Sequence, residues 1–477
     1  MAIMLDLAPV AHILGLVVAV LGLAMVAPAG LDFANNDENW QAFFKASIEA
    51  FYIGGLIAMA TRPATPQPLG LRQAYLLTAL IWLLLPLFAA LPFIHGAPGA
   101  SLTDAYFEAA SGITTTGSSV FLGIEQLPRG VLLWRGMLNW MGGLGIVFVA
   151  MIFLPVMRVG GMQFFRTEGF DTLGKILPRA GDISKALLWV YVGLTVLFGL
   201  TYRALGMSGF DALVHAMSTV ATGGFSTYDA SFAAFSGPLE YAGALFILYV
   251  QLARGVAAPL WRDSQVRAFL RWCAYAVAAV TAWRLINTDA GFEQVFRETA
   301  FNLVSIMTGT GFGSSNVGAW GSFPVVVAFL VGMIGGCTGS SSGALSVFRW
   351  QVLIVAITTA VRRLHSPNRL VIARYDGKRL DDDTLNPLIF YFFGYIFITG
   401  ILTVALSMTG VDFESSVFGV WTSINNIGFA LGPLATRTGT KVDYNDAAIW
   451  IMSLAMLLGR LGLLAILVVV LPRFWRN

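Results

Sequence analysis

Long apolar stretches recur along the chain, and each is close to the roughly 20 residues that a helix needs to cross a bilayer. We place ten such spans, at about 8–28, 44–60, 72–94, 131–156, 182–206, 237–256, 265–287, 324–361 with an interruption, 386–410 and 446–472. Because ten is an even number, both termini are predicted on the same side of the membrane. The pattern therefore predicts an all-α protein that crosses the membrane many times.

Composition agrees with that pattern. Of the 477 residues, 57% are hydrophobic and only 12% are charged, and the mean hydropathy is +0.74. A soluble protein of this size needs more charge to cover its surface. A soluble fold is therefore excluded.

Basic residues concentrate in alternate loops, whereas the loops between them carry acids such as Asp37, Glu125 and Asp229. The basic set is Arg158, Arg166, Lys175, Arg179, Lys185, Arg254, Arg262, Arg267, Arg271, Arg362, Arg363, Arg369, Arg374, Lys378 and Arg379. By the positive-inside rule these loops, and with them both termini, are cytoplasmic. Nucleic-acid binding is not expected, because these stretches adjoin spans and lack interleaved aromatic residues.

Four segments between spans can be aligned without gaps. They are Phe107–Gly117, Leu213–Gly223, Phe301–Gly311 and Phe418–Gly428. Each begins with a bulky apolar residue and ends in glycine, and three place threonine before that glycine. Self-similarity at this scale indicates a repeated unit. It divides the chain into a leading helix pair at 1–68 and pore repeats at 69–160, 161–262, 263–380 and 381–477.

Each aligned segment is too short to cross the membrane and reads as a half-helix that ends in a glycine loop. Acids near the starts, Asp104, Asp211, Glu293 and Asp412 or Glu414, suit the positive end of a helix dipole. Backbone carbonyls at membrane depth are tolerated where they line a cavity or are buried in protein. A single Thr-Thr-Gly would be an ordinary turn, but four in register predict a ring of carbonyl oxygens that coordinates a monovalent cation.

These motifs resemble the TrkH branch of the Trk/Ktr/HKT cation transporter superfamily over nearly the whole chain. The resemblance is carried by the four glycine segments and by five further stretches, Trp140–Val147, Leu154–Glu168, Thr219–Thr227, Gly335–Ser340 and Leu454–Leu461. The two extra leading spans favour the TrkH branch over the Ktr branch. The resemblance implies potassium uptake across the inner membrane through a homodimer, with K⁺ as the transported ion. It also implies cytosolic nucleotide-binding regulatory subunits of the TrkA type.

Matching motif to motif assigns the selectivity filter. The implied ion-binding residues are Thr115, Thr116, Gly117, Ala221, Thr222, Gly223, Gly309, Thr310, Gly311, Asn426, Ile427 and Gly428. Their backbone carbonyls are expected to bind the ion, whereas the amides of Asn425 and Asn426 are expected to brace the loop.

Two further features lie outside the filter. Glycines and serines, among them Gly336, Gly339, Ser340 and Gly343, interrupt the span at 324–361. They fit either a kink with close helix packing or the intramembrane gate loop that the resemblance implies. Arg460 lies within the last span, where a charge is costly. It fits either a structural ion pair or, by the resemblance, a gating arginine that repels cations below the filter.

Some residues depart from the family pattern. Leu461 is followed by Gly462 where family members commonly have glutamate, and Ser346 stands where lysine is usual. These changes leave gating, the regulatory partner and K⁺/Na⁺ selectivity open, so a sodium-coupled or poorly selective transporter is the alternative.

A membrane enzyme is disfavoured because the four histidines are scattered. A carrier with inverted repeats is disfavoured because the four units run in the same direction.

Overall fold

The computed structural model describes residues 6–63, 69–152, 180–252, 263–338, 343–366, 368, 372–380, 382–461, 469 and 471–475. Their α-helices are Ala8–Ala24, Val26–Ala34, Trp40–Ala60, Leu71–Ala89, Leu91–His95, Leu102–Ile113, Arg129–Ile152, Ala180–Ala204, Gly209–Ala221, Pro238–Leu252, Ser264–Asn287, Phe292–Thr308, Ser322–Ile334, Val347–His365, Asp382–Ser407, Phe413–Ile424, Pro433–Thr438, Asp446–Leu461 and Pro472–Trp475. Short 3₁₀ helices cover Ile124–Gln126, Ser231–Ala234 and Val317–Trp320.

The apolar spans become helices. Within the described residues, six helical stretches are long and apolar enough to cross a membrane: Ala8–Ala34, Trp40–Ala60, Arg72–His95, Lys185–Ala204, Ser264–Asn287 and Leu385–Ser407. Pro238–Leu252 and Ser322–Ile334 are shorter apolar helices. The predicted spans at 131–156, 237–256 and 446–472 continue into residues outside the described ranges.

The prediction of an all-α chain needs one correction. Strands Arg374–Tyr375 and Lys378–Arg379 pair antiparallel as a small hairpin. Asp376 and Gly377, which join them, both have positive φ, as a type I′ turn requires. Two residues of strand on each side carry no hydrophobic alternation, so the hydropathy pattern could not indicate them.

Four half-helices lie between the longer ones: Leu102–Ile113, Gly209–Ala221, Phe292–Thr308 and Phe413–Ile424. Their 12, 13, 17 and 12 residues span about 18 to 25 Å, less than the roughly 30 Å of hydrocarbon. Each packs against the two helices that flank it in its own repeat. The first also packs against Asp446–Leu461, at the far end of the chain. The repeats are therefore arranged in a closed order.

The leading helices Ala8–Ala24 and Trp40–Ala60 pack through small residues. A Cβ built on Gly54 would lie 2.5 Å from the Ala19 nitrogen, and one built on Gly15 would lie 2.7 Å from the Gly54 oxygen. The hydroxyl of Ser47 donates to the Gly22 carbonyl at 2.8 Å. Close backbone approach through small residues, with a polar side chain across the interface, is the usual packing of membrane helices.

We predict that Gly54→Val lowers the free energy of unfolding by about 1–3 kcal/mol, because the added methyls have no room in this interface. The measurement is thermal unfolding of the purified protein in detergent. Gly55→Val is the matched control, because a Cβ on Gly55 meets nothing within 4 Å. Equal effects of the two substitutions would contradict the prediction.

Candidate functional site

The loops that follow the four half-helices share one backbone conformation. Each contains two residues with positive φ, separated by a single residue. The pairs are Thr115 and Gly117, Thr222 and Gly224, Gly309 and Gly311, and Asn426 and Gly428. We call these segments the first to fourth glycine loops and the second member of each pair the ring glycine. Three of the first members are not glycine, and a left-handed residue with a Cβ costs roughly 1–2 kcal/mol, so the surrounding structure must hold these residues in place.

One backbone hydrogen bond closes each turn in the same way. The amide just before the ring glycine donates to the carbonyl five residues earlier, a six-to-one bond of the Schellman type. The four bonds are Thr116 to Ser111 at 2.8 Å, Gly223 to Ser218 at 2.8 Å, Thr310 to Ser305 at 2.9 Å and Ile427 to Thr422 at 2.9 Å. The four loops are therefore conformational copies of one another.

The second loop corrects the gapless alignment by one residue. Ala221 is the last residue of its helix, and the left-handed residues are Thr222 and Gly224. Gly224, not Gly223, is thus the counterpart of Gly117, and the segment of this loop equivalent to Thr115–Gly117 is 222–224 rather than 221–223. Two adjacent glycines can both adopt positive φ, so similarity alone did not distinguish them. The Gly-Phe pairs at 224–225, 311–312 and 428–429 carried the signal that would have done so.

The four ring glycines form a closed chain of contacts. A Cβ built on Gly117 would collide with the Gly223 carbonyl oxygen, and one on Gly224 with the Thr310 oxygen. The series continues from Gly311 to the Ile427 oxygen and from Gly428 back to the Thr116 oxygen. Each loop therefore touches the next and the fourth touches the first. The four contacted carbonyls belong to the residues just before the ring glycines, which are equivalent positions. One carbonyl group from each loop therefore lies at the same level of the ring.

The side chains of Thr116, Thr310 and Asn426 are turned towards protein partners. The hydroxyls of Thr114 and Thr116 lie 2.7 Å apart, and those of Thr308 and Thr310 lie 2.8 Å apart. The Asn426 amide donates to the Thr116 hydroxyl and to the Met456 carbonyl, both at 2.9 Å. These contacts leave the threonine and asparagine side chains as braces.

Asn425 is also held by a neighbouring helix. Its amide oxygen accepts a hydrogen bond from the Tyr395 hydroxyl at 2.8 Å. Together with the bonds of Asn426, this contact agrees with the expectation that both amides brace the fourth loop.

Glycines on the flanking helices allow close approach to the half-helix ends. A Cβ on Gly142 would collide with the Ile113 carbonyl oxygen, and a Cβ on Gly459 would collide with the Ile424 oxygen. Ile113 and Ile424 occupy the same position, four residues before their ring glycines. The Gly-containing stretches after Trp140 and Leu454 thus have a structural role, since they seat the second helix of the first and fourth repeats against the ring.

Arg460 follows Gly459 in the last turn of helix Asp446–Leu461. It is half-buried and interacts electrostatically with the Tyr191 hydroxyl. Because Gly459 touches the end of the fourth half-helix, Arg460 lies on the side of the ring at which the half-helices end.

The described residues of the interruption at 324–361, which are 335–338 and 343–346, are not helical. Helix Ser322–Ile334 ends at Gly335, which has φ +70°, and the next helix begins at Val347. The Val347 amide donates to the Gly336 carbonyl at 3.0 Å, so the chain folds back on itself. A Cβ on Gly343 would collide with the Asn426 amide oxygen, which places this segment against the fourth loop. Gly339 and Ser340 lie outside the described residues.

Electrostatics of the half-helices follow the sequence expectation. Asp104, Asp211, Glu293 and Glu414 lie in the first turns. Asp412 is the N-cap of the fourth half-helix and accepts a hydrogen bond from the Ser415 amide at 2.9 Å. The negative ends of the four helix dipoles are therefore directed towards the ring.

A buried lysine lies beside the first loop. The Lys441 amide donates to the Ser119 carbonyl at 2.7 Å, and the side chain is 1% exposed. Within the described residues its ammonium has no hydrogen-bond partner and lies 5.6 Å from the Tyr444 ring centroid. Burial lowers the pKa of Lys441 to about 8.

We predict that Lys441→Met raises the free energy of unfolding at pH 7 by about 3 kcal/mol, because it removes the buried ammonium. This magnitude follows from the lowered pKa, since each pKa unit corresponds to about 1.36 kcal/mol. The pKa of Lys441 is about 8 in the folded state and 10.5 when unperturbed. The destabilisation caused by burying the charged ammonium is therefore complete below pH 8, falls as the pH rises to 10.5 and is absent above pH 10.5.

The check is the difference in thermal unfolding between wild type and variant across this pH range. Lys45→Met is the control, because the Lys45 side chain is 61% exposed. A difference that does not change with pH would contradict the prediction.

Comparison with known proteins places these features in a family. A family model for TrkH, described as a cation transport protein, matches residues 39–261 and 257–476. The chain is 37% identical to the Trk system potassium uptake protein TrkI of Halomonas elongata, over 98% of this chain and 97% of that protein. It is 32% identical to the Trk system potassium uptake protein TrkH of Escherichia coli K12, over 98% and 99%.

A solved structure also matches the whole fold. The crystal structure of the potassium transporter TrkH from Vibrio parahaemolyticus superposes with a TM-score of 0.90 at 29% identity, covering 99% of this chain and all of that one. The predicted helical membrane fold is thereby confirmed.

Proposed function

The chain belongs to the TrkH family of cation transport proteins, as its motifs predicted, and we propose that it takes up potassium ions across the inner membrane. The ion passes through a central pore formed by the four repeats, with the ring of glycine loops as its selectivity filter. The observation that carries this proposal is the cyclic contact of Gly117, Gly224, Gly311 and Gly428 with the carbonyl of the next loop.

Ion selection follows from the chemistry of the ring. Backbone carbonyls replace the hydration shell of a dehydrated K⁺, and four half-helix dipoles add negative potential at the same place. The filter residues are Thr115–Gly117, Thr222–Gly224, Gly309–Gly311 and Asn426–Gly428. Uptake runs down the inside-negative membrane potential, which is worth about 2.3 kcal/mol per charge per 100 mV.

The gate lies on the side of the ring where the half-helices end. The interrupted segment after Ile334, with Gly336, Gly339, Ser340 and Gly343, is the intramembrane gate loop. The contact of Gly343 with Asn426 supports this role. Arg460 adds positive charge near the same end, where it repels cations until it moves or is screened.

The chain acts as a homodimer with both termini in the cytoplasm, each protomer with its own pore. Nucleotide-binding subunits of the TrkA type dock on the cytoplasmic face. The relatives are named as members of a Trk system, which supports a multi-component assembly. The basic segment that includes Arg362, Arg363 and Arg374 supports the orientation.

We predict that purified protein in liposomes passes Rb⁺, a potassium analogue, faster than Na⁺ under an inside-negative potential. The measurement is the ratio of radiotracer uptake of ⁸⁶Rb⁺ to that of ²²Na⁺, with empty liposomes as the control. Equal permeation of the two ions would overturn the potassium assignment in favour of a poorly selective cation transporter.

We predict that Gly224→Ala abolishes selective flux, because residue 224 has φ +74° and a Cβ there collides with the Thr310 carbonyl. Gly311→Ala acts in the same way through Ile427. The measurement is the Rb⁺/Na⁺ ratio of protein that elutes as wild type from size exclusion.

Gly206→Ala is the matched control for backbone strain. Its φ is +113°, but nothing lies within 4 Å of the added Cβ, so the ratio should stay at the wild-type value. Survival of selectivity in both Gly224→Ala and Gly311→Ala would disprove the filter assignment.

A further inference from the structure

In three of the four half-helices, one equivalent position holds the chain just beyond the ring glycine. Nine residues before the ring glycines stand Glu108, His215, Asn302 and Gly419. In the first three repeats the side chain reaches the segment that leaves the ring. In the fourth, the Tyr444 hydroxyl lies 3.5 Å from where a Cβ of Gly419 would be. In each of the first three repeats the segment after the ring glycine is thus supported from behind by a different group.

The first and third repeats use the same geometry with different chemistry. The Val120 amide, three residues after Gly117, donates to the Glu108 carboxylate at 3.0 Å. The Ser314 amide, three residues after Gly311, donates to the Asn302 amide oxygen at 3.1 Å. A neutral amide therefore suffices to hold one outer loop, so the negative charge of Glu108 has a further purpose.

That charge is paired with an arginine of the neighbouring helix. Arg135 Nε donates to Glu108 Oε1 at 2.7 Å, and the two side chains are 2% and 0% exposed. The Ser119 hydroxyl also donates to both carboxylate oxygens at 3.0 Å. A buried ion pair of this kind is costly to break, because loss of either partner leaves an uncompensated charge in a low dielectric.

Arg135 links Glu108 to the second loop. Its Nη1 donates to the Ser226 carbonyl at 2.8 Å, and its guanidinium lies 4.2 Å from the centroid of the Phe225 ring. The Ser226 hydroxyl is in turn 2.9 Å from His215 Nε2. The Glu108–Arg135 ion pair therefore links the segments that follow the ring glycines of the first and second loops.

We propose that Glu108 and Arg135 are positioning residues for ion selection. Their ion pair fixes the distance between the first and second loops, and through it the diameter of the carbonyl ring. The proposal rests on the proposed function of that ring as a potassium filter. Neither side chain contacts the ion, since both lie behind the loops on the residues that follow the ring glycines.

The experiment measures the Rb⁺/Na⁺ uptake ratio in liposomes for wild type, Glu108→Gln, Glu108→Asp and the neutral double variant Glu108→Gln with Arg135→Met. Glu108→Gln keeps the shape but leaves Arg135 unpaired, and we expect the ratio to fall by about tenfold or more, since small displacements of a preorganised site have large effects. Glu108→Asp keeps the negative charge, so its Rb⁺/Na⁺ uptake ratio should fall less than that of Glu108→Gln. The double variant removes both charges, so it folds without a buried unpaired ion. We expect its Rb⁺/Na⁺ uptake ratio to fall as well.

The ratio separates positioning from stability. A purely structural role would lower the uptake of both ions together and leave their ratio unchanged. Glu298→Gln is the matched control, because Glu298 pairs with Arg284 at 2.6 Å and likewise joins a half-helix to a span without contacting a glycine loop. We expect its ratio to equal that of wild type.

The outcomes are distinguishable from failure of the proposed function. A wild-type protein without preference for Rb⁺ would disprove the assignment of the ring as a potassium filter. A selective wild type whose preference survives in both Glu108→Gln and the double variant would overturn the positioning role alone. An equal loss in Glu298→Gln would do the same, since it would show that any buried pair has this effect.

Discussion

The contact of four backbones at one level is the constraint on which the rest of the structure depends. Each ring glycine lies so close to a carbonyl of the next loop that no side chain fits between them. Peptide groups at membrane depth are stable only where protein or a bound ion satisfies them. The half-helices, the flanking glycines and the buried braces can all be understood as the means of holding this ring together.

The four repeats share a backbone but not their supporting side chains. All four close with the same six-to-one hydrogen bond, whereas the position nine residues before the ring glycine is an acid, a histidine, an amide and a glycine in turn. A symmetric homotetramer must use one residue at all four positions. A single chain with four repeats can instead connect one pair of loops by an ion pair and another by hydrogen bonds, so its ring need not have exact fourfold symmetry.

The two ends of the ring differ in what surrounds them. Where the half-helices end, Gly142 and Gly459 seat the flanking helices against the terminal carbonyls, and Gly343 brings the interrupted segment against Asn426. Where the loops leave the ring, Glu108, Arg135 and Lys441 are buried charges. Close backbone contacts through glycines therefore meet the ring on one side, and buried polar contacts meet it on the other.

The sequence by itself determined the helical spans, the four half-helices with their acidic starts, and the presence of a glycine turn after each. These features depend on hydropathy and on local backbone preference, which act within about ten residues. Tertiary structure decided that Gly224 rather than Gly223 completes the ring, and that Arg135 joins two loops. It also brought Asn426 to Thr116, a separation of 310 residues. Such contacts depend on how the repeats close on one another, and no local window of sequence encodes that closure.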